Sequence, residues 1–368
     1  MLNHFKLYLK NFDWIIFAAI LLLVSFGLIE IYSVALGQGN LNLLNFKKQI
    51  FFALIGFFMF FVLTFFDSNF LKSLNRYFYL GAILILVAVL FFGSTIRGTK
   101  GWFSFFGLVL QPVEFVKIVL ILFLANFFSN LATRVKTLNH FFYSAFSTLI
   151  LIGLVLMQPD FGSALMLSAI WLVMVLAAGF NKKYFISIFL LGLVLFTMAW
   201  FVFFKDYQKE RIMTFLNPTA NALESGYNSS QAIIAIGSGG LTGKGVGFGS
   251  QSQLKFLPEA QNDFIFSVIA EELGLLGVVL VFSFYFIFFF RGFIVLKNIN
   301  NDFGIFFIIG SCSLIFIQMF INIGMNLGIM PIVGLPLPFI SYGGSSLISL
   351  LILAGIMENI IIKSKISY

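Results

Sequence analysis

The sequence predicts an all-α polytopic membrane protein with about ten transmembrane helices, and three observations predict it. Apolar residues fill 60% of the 368 positions and charged residues only 10%, against about 25% charged in an ordinary soluble domain. The apolar residues fall into separate runs, each close to the ~20 residues that cross a bilayer as a helix. Lys and Arg gather in alternate short connections, as expected for an oriented membrane protein. This composition excludes a soluble globular enzyme, a disordered chain and a secreted disulfide scaffold. A lone Cys312 forms no intramolecular disulfide. With only His4 and His140, a histidine zinc site is not expected. The net charge of +8 is spread over short loops, which suits an anionic membrane surface and not nucleic acid.

The first run, Trp14 to Leu36, is too long for the apolar core of a signal peptide and lacks a small-residue cleavage site. It is read as the first span. Further runs follow at 48–66, 77–93, 112–131, 140–158, 162–180, 184–204, 264–290, 303–326 and 341–362. Backbone groups in lipid must be paired within the protein, and the short alternating segments of a membrane barrel are absent, so the runs are read as helices. A cytoplasmic N-terminus puts Lys6, Lys10, Lys72, Arg76, Arg134, Lys136, Lys182, Lys183, Arg291, Lys297, Lys363 and Lys365 inside. The short outer loops then hold Lys47, Lys48, Arg97 and Lys100, twelve against four. Both termini are expected in the cytoplasm.

Two connections depart from this pattern. Residues 205–263 form a long, polar, Gly-rich outer loop between the seventh and eighth spans, and loops of that length are commonly functional. Aromatic and apolar residues within it, among them Tyr227, Phe248 and Leu257, suggest partial order. Residues 94–111 carry Trp102 between Phe-rich patches and are expected to lie in the outer interface as an amphipathic or re-entrant piece. No repeat of the whole chain and no soluble domain is evident, so residues 1–368 are read as one transmembrane domain. Its chemistry must use the outer loops and outer helix ends.

An ionisable group inside a span costs roughly 2.5–3.5 kcal/mol on insertion scales, which makes each one a functional candidate. The candidates are Glu30, Glu114, Lys117, Asp160, Asp263, Glu271 and Glu272. Glu114 and Lys117 are three apart on one helix and share a face. They either line a polar cavity, with Lys117 meeting an anionic substrate, or form a structural pair. Asp160, in Gln158-Pro159-Asp160-Phe161-Gly162, is also a good N-cap for the next helix. Asp263 opens the eighth span after Leu257-Pro258-Glu259-Ala260-Gln261-Asn262. It too could cap, but a carboxylate beside a polar outer loop is well placed as a general base. Glu271 and Glu272 either join that chemistry or bond neighbouring backbone and hydroxyls.

The run Gly237 to Gly245 resembles a phosphate-binding loop but fails the nucleotide pattern, with Ser238 and Gly245 in the deciding places. Its backbone could still cradle another phosphate beside Lys244, or be a plain flexible loop. Pro338 to Ser346 is rich in small residues, which permit either close helix packing or irregular backbone facing a cavity. Cys312 is read as a packed core residue.

Several phrases together resemble one family. They are Gln111-Pro112-Val113-Glu114-Phe115-Val116-Lys117, Gln158-Pro159-Asp160-Phe161-Gly162, the stretch Gly237 to Gly245, Leu257-Pro258-Glu259 with Asp263-Phe264-Ile265-Phe266, Glu271-Glu272-Leu273-Gly274, and Gly334 through Ser346. Over essentially its whole length the chain is similar to the SEDS proteins, the RodA/FtsW/SpoVE family. The resemblance implies a ten-helix glycosyltransferase of the bacterial cytoplasmic membrane that polymerises lipid II into glycan strands on the outer face. It also implies a class B penicillin-binding protein as crosslinking partner, among other elongation or division proteins. Asp263 matches the family's essential acidic residue. Glu114, Lys117, Asp160 and Arg211 match further motif positions, and Lys244, Glu259 and Ser341 are added as substrate contacts. A divalent cation, Mg²⁺ in the first instance, is expected to help Lys117, Arg211 and Lys244 stabilise the leaving pyrophosphate, with Asp160 or Glu114 as ligand or orienter.

Gln251-Ser252-Gln253-Leu254 and Asn322-Ile323-Gly324-Met325 lean towards the elongation branch, while parts of the Leu-Pro-Glu-Ala segment suit the division branch. One departure stands out: Gln261-Asn262 occupies the place where many members have His-Thr, so no role for that His transfers. Without the resemblance, a transporter of lipid-linked precursors would rank first, since buried Glu114, Lys117 and Asp160 suit a transport path. A non-catalytic scaffold for a synthase is the third reading.

Overall fold

The computed structural model describes residues 8–37, 43–66, 68–96, 98–105, 108–131, 137–181, 183–184 and 225–366, with isolated positions between 192 and 213. Nine of the ten apolar runs coincide with helices: α1 (Trp14–Leu36), α2 (Leu44–Thr64), α4 (Asn75–Phe92), α5 (Val113–Ser129), α6 (Leu138–Leu156), α7 (Phe161–Ala177), α10 (Ile265–Leu296), α11 (Asp302–Asn326) and α12 (Gly344–Ile366). Seven of them are long and apolar enough to cross a membrane. The run at 184–204 lies outside the described residues, as does Arg211. A short helix α3 (Ser68–Ser73) links α2 to α4.

Small residues set the helix contacts. α12 packs along α2 with Gly56 against Leu351 and Gly355 against the backbone of Phe60, approaches that a larger side chain would block. At the end of this pair, Asn359 donates to the carbonyls of Thr64 and Phe66, which have run out of helical donors. α12 is the most enclosed of the candidate spans, while the outward faces of α2 and α4 expose Phe58, Phe91 and Phe92. Exposed Phe on an apolar helix face is what lipid contact requires.

At the end where α1 begins and α12 finishes, Asp13 ties three helices together. Its carboxylate takes both Arg291 Nε contacts at 2.9 and 3.0 Å and Lys365 Nζ at 3.5 Å, while its amide donates to Glu358 Oε1 at 2.6 Å. It also caps α1 through Ile16.

The two connections that depart from the helix pattern both carry structure. The segment expected as an amphipathic or re-entrant piece holds a three-stranded antiparallel sheet, β1 (Ser94–Ile96), β2 (Thr99–Phe105) and β3 (Leu108–Leu110). The strands carry aromatic and β-branched residues, Thr95, Ile96, Thr99, Trp102, Phe103 and Val109, which suit a pleated surface. The partial order expected within 205–263 is present in its described part. That part holds a 15-residue helix, α8 (Ser225–Gly239), and a short one, α9 (Ser250–Gln253). α8 reads as loop in the sequence because small and polar residues dominate it. They form a helix because Ala232 and Ala235 are buried and Gly239 lies against the carbonyl of Ala270 on α10.

Candidate active site

The polar residues singled out in the sequence, as far as they are described, gather at the end of the bundle opposite Asp13. α10 is broken there. Gly274 has φ 64° and ψ −156°, which interrupts the helix after Leu273. The freed donors are taken by the Gly-rich run: Leu275 N donates to Gly240 O at 2.9 Å and Leu276 N to Leu241 O at 3.2 Å. In return, Lys244 N donates to Glu271 O at 3.0 Å and Gly245 N to Glu272 O at 2.8 Å. The run 237–245 is therefore not a plain flexible loop. Two of its amides and two of its carbonyls are spent splicing a broken helix.

Glu271 and Glu272 complete the splice from the side chain. Glu271 is fully buried and accepts from Gln251 N at 2.8 Å, Ser252 N at 3.1 Å, Ser250 Oγ at 3.3 Å and Lys244 Nζ at 3.1 Å. It thus holds the first turn of α9 and the ammonium of Lys244 together. Glu272 accepts from the Ser33 hydroxyl on α1, from Gly247 N at 3.1 Å and from Gln253 Nε2 at 3.1 Å. Of the two sequence readings of this pair, bonding to backbone and hydroxyls is the one observed. Lys244 is bound to Glu271 and Ser250, with its side chain 30% exposed.

Asp263 is half-buried and sits one residue before the Phe264 N-cap of α10, so it is not the cap that its position suggested. Its backbone carbonyl accepts from Asn322 Nδ2 at 3.0 Å and Asn326 Nδ2 at 2.9 Å. Its carboxylate faces Gly334, where a Cβ would lie 3.7 Å from Oδ2. Glu259, exposed and with φ 55°, closes the turn before it: its carboxylate accepts from Asn262 Nδ2 at 2.6 Å. Ser341 is buried and its hydroxyl is engaged twice, donating to Asn262 O at 2.6 Å and accepting from Leu337 N at 2.7 Å. Gln261 accepts from Asn45 Nδ2 at 2.8 Å, and its carbonyl accepts from Tyr342 N at 2.8 Å. The Gln261-Asn262 pair thus anchors the Asp263 turn to α2 and to the segment before α12.

Glu114 and Lys117 form an ion pair of 2.7 Å with side chains only 4% and 1% exposed. Buried charges need such a partner. Ser349 on α12 lies 3.5 Å from the second Glu114 oxygen. Asp160 is the N-cap of α7, accepting from Ser163 N at 2.9 Å and Ser163 Oγ at 2.7 Å. Gln111 Nε2, at the start of the Glu114 helix, also donates to it at 3.1 Å. The Asp160 turn and the Asp263 turn border the same segment: a Cβ on Gly162 would lie 2.8 Å from Val333 O, and Gly334 faces Asp263. Two turns from distant parts of the chain, one through Gly162 and one through the Asp263 carboxylate, therefore flank residues 333–335.

These donors do not build a site for a bare divalent cation. Among the described residues no three His, Cys, Asp or Glu side chains converge. Asp160 already takes three hydrogen bonds and Glu114 is neutralised by Lys117.

The sequence reading missed Gln318, Asn322 and Asn326 on α11, all fully buried. Their signal is present: three amides at i, i+4 and i+8 on an apolar helix share one face, and buried amides demand partners.

The fold and site define a multi-pass membrane protein whose candidate site residues gather at one end of the helix bundle. Residues 13–366 match the family model described as "Cell cycle protein", which groups FtsW, RodA and SpoVE. The chain belongs to this family, whose setting is the bacterial cytoplasmic membrane. It is 35% identical to a probable peptidoglycan glycosyltransferase FtsW of Geobacter metallireducens, covering 98% of each chain. It is 37% identical to the peptidoglycan glycosyltransferase MrdB of Escherichia coli K12 over 77% of this chain and 76% of the other. Both branches are thus similar to it. Among solved structures, a chain described under the coordination of polymerization and crosslinking by a peptidoglycan synthase complex superposes with a TM-score of 0.80 at 29% identity, covering 97% of this chain and 98% of that one. The rod shape determining protein RodA of Thermus thermophilus gives 0.72 at 27%, covering 95% and 96%.

Proposed function

We propose that this chain is a peptidoglycan glycosyltransferase that polymerises lipid II, with Asp263 as general base. The observation that carries the reading is the setting of Asp263. A half-buried carboxylate stands at the outer end of the bundle, its main chain held by two buried amides. The reaction joins the 4-hydroxyl of an acceptor GlcNAc to C1 of a donor MurNAc. Asp263 removes the hydroxyl proton as the new C–O bond forms and the undecaprenyl pyrophosphate leaves. Direct displacement turns an α linkage into β. General base catalysis of this kind contributes about 10²–10⁴-fold.

The leaving pyrophosphate needs positive charge. We assign this to Arg211 and Lys117, the latter oriented by Glu114. Asp160 and Glu259, each beside one of the two turns, are assigned to the sugar-bearing head of the substrate. Lys244 and Ser341 also hold their loops through partners inside the protein, and we assign the 30% exposed Lys244 to the pyrophosphate as well. A divalent cation would be held by the substrate's own phosphates, with few protein ligands, which is the usual manner of Mg²⁺. No step is derived through it. Similarity to a chain from a peptidoglycan synthase complex supports a penicillin-binding protein as partner.

The test is purified protein, alone and with its cognate class B partner, given fluorescent lipid II. Glycan ladders support the reading. Movement of lipid II across vesicles without any ladder overturns it in favour of transport.

A further inference from the structure

We propose that Asn322 and Asn326, with Gln318 below them, form a ladder of positioning residues that fixes the Asp263 carboxylate against its facing wall. This rests on the reading of Asp263 as the base. The three residues lie at four-residue intervals on α11, so their side chains share one face. All three are fully buried.

Each amide ends on an irregular main-chain segment that borders Asp263. Asn326 Nδ2 donates to Asp263 O at 2.9 Å, and its Oδ1 accepts from Ser267 N at 3.2 Å and Ser267 Oγ at 2.6 Å. It thereby grips the chain on both sides of the α10 N-cap. Asn322 Nδ2 bridges, donating to Asp263 O at 3.0 Å and to Leu335 O at 2.7 Å. Gln318 Nε2 donates to Pro336 O at 2.9 Å. Leu335 directly follows Gly334, the residue that the Asp263 carboxylate faces. One amide group therefore sets the spacing between the base and its opposite wall.

A general base works only with its oxygen about 2.6–3.2 Å from the proton's donor atom. Both segments that set this gap are non-helical, and the backbone bond between them, Tyr342 N to Gln261 O at 2.8 Å, is made eight residues beyond Gly334. The Asp263 carbonyl receives two amide donors, which uses both of its lone pairs. That doubling restrains rotation of the Asp263 unit, whereas a simple helix tie needs one bond anywhere along the segment.

The experiment uses the full-length protein with its cognate partner, and rates are counted per folded molecule. Asn322→Asp and Asn326→Asp keep shape but replace the donating NH₂ with oxygen. Asn322→Ser removes the reach without adding charge, in case the acidic variants fold poorly. Asn359→Asp breaks a comparable buried amide tie at the other end of the bundle and serves as the control. The expected result is a fall in kcat of about 10- to 100-fold with KM for lipid II nearly unchanged. In the Asp variants the deficit should narrow as the pH falls and the new carboxyl regains a donor hydrogen. Asn359→Asp should lower thermal stability and leave kcat of the folded fraction alone. Unchanged kcat in all three ladder variants, with Asp263→Ala inactive, overturns the positioning role and leaves the base in place. A wild-type complex that makes no glycan overturns the base reading and this proposal with it.

Discussion

Gly274 and Gly243 touch backbone to backbone: a side chain on Gly274 would collide with the amide nitrogen of Gly243 and reach within 2.7 Å of Leu241 O. Both residues also have positive φ, 64° and 77°. The break in α10 and the Gly-rich run are thus one structure. Gly274→Ala is expected to lose roughly 2–4 kcal/mol, from left-handed backbone strain and overpacking together. Thermal unfolding in detergent measures it. A variant that melts with the wild type would contradict the splice.

Glu271 is the splice's side-chain clamp. Glu271→Ala leaves the amides of Gln251 and Ser252 without their acceptor and Lys244 without its counter-charge. Breaking such a buried cluster costs roughly 3–5 kcal/mol, discounted here because Lys244 is 30% exposed. The local readout is trypsin cleavage after Lys244, which should become fast in the variant while remaining slow in the wild type. Equal cleavage rates would count against the clamp.

Asp13 gives a pH dependence with a definite sign. Burial raises its pKa, but the Arg291 hydrogen bond and the charges of Lys365 and Arg291 outweigh this and hold the carboxyl below its ordinary value of 3.8. The stabilisation is therefore full above 3.8 and is lost as the pH falls through the lower folded value. Asp13→Asn should melt below the wild type at neutral pH, and the two should converge in strong acid. A gap that widens on acidification would be wrong for this linkage.

Asp160 separates a cap from a charge. Asn is as good a helix cap as Asp. Asp160→Asn should therefore keep its melting temperature within a few degrees, since the cap contributes only about 1 kcal/mol. If the charge also meets substrate, polymerisation should fall at least about tenfold, the worth of ~1.4 kcal/mol. Full activity in the folded variant would leave Asp160 as a cap alone.

The sequence made the spans legible because membrane helices announce themselves by length and apolarity, and nine runs lie on helices. Asp160's cap and the Glu114–Lys117 pair were legible from local spacing. The partners of Glu271, Glu272 and Lys244 were not, because the Gly-rich run meets α10 across the fold and no local pattern encodes that pairing. The small sheet at 94–110 was hidden by its Phe and Trp, which suit an interface helix and a strand equally. The amides of α11 were visible as residues, but their target, the Asp263 carbonyl, lies 59 and 63 positions away in sequence.

The most direct measurement is single-turnover glycan formation by the wild-type complex beside Asp263→Ala and Asp263→Asn, each confirmed folded and bound to lipid II. The account predicts bond formation by the wild type, binding without bond formation by Asp263→Ala, and the same failure in Asp263→Asn, which keeps shape but loses the base. Glycan formed at wild-type rate by either variant would contradict it.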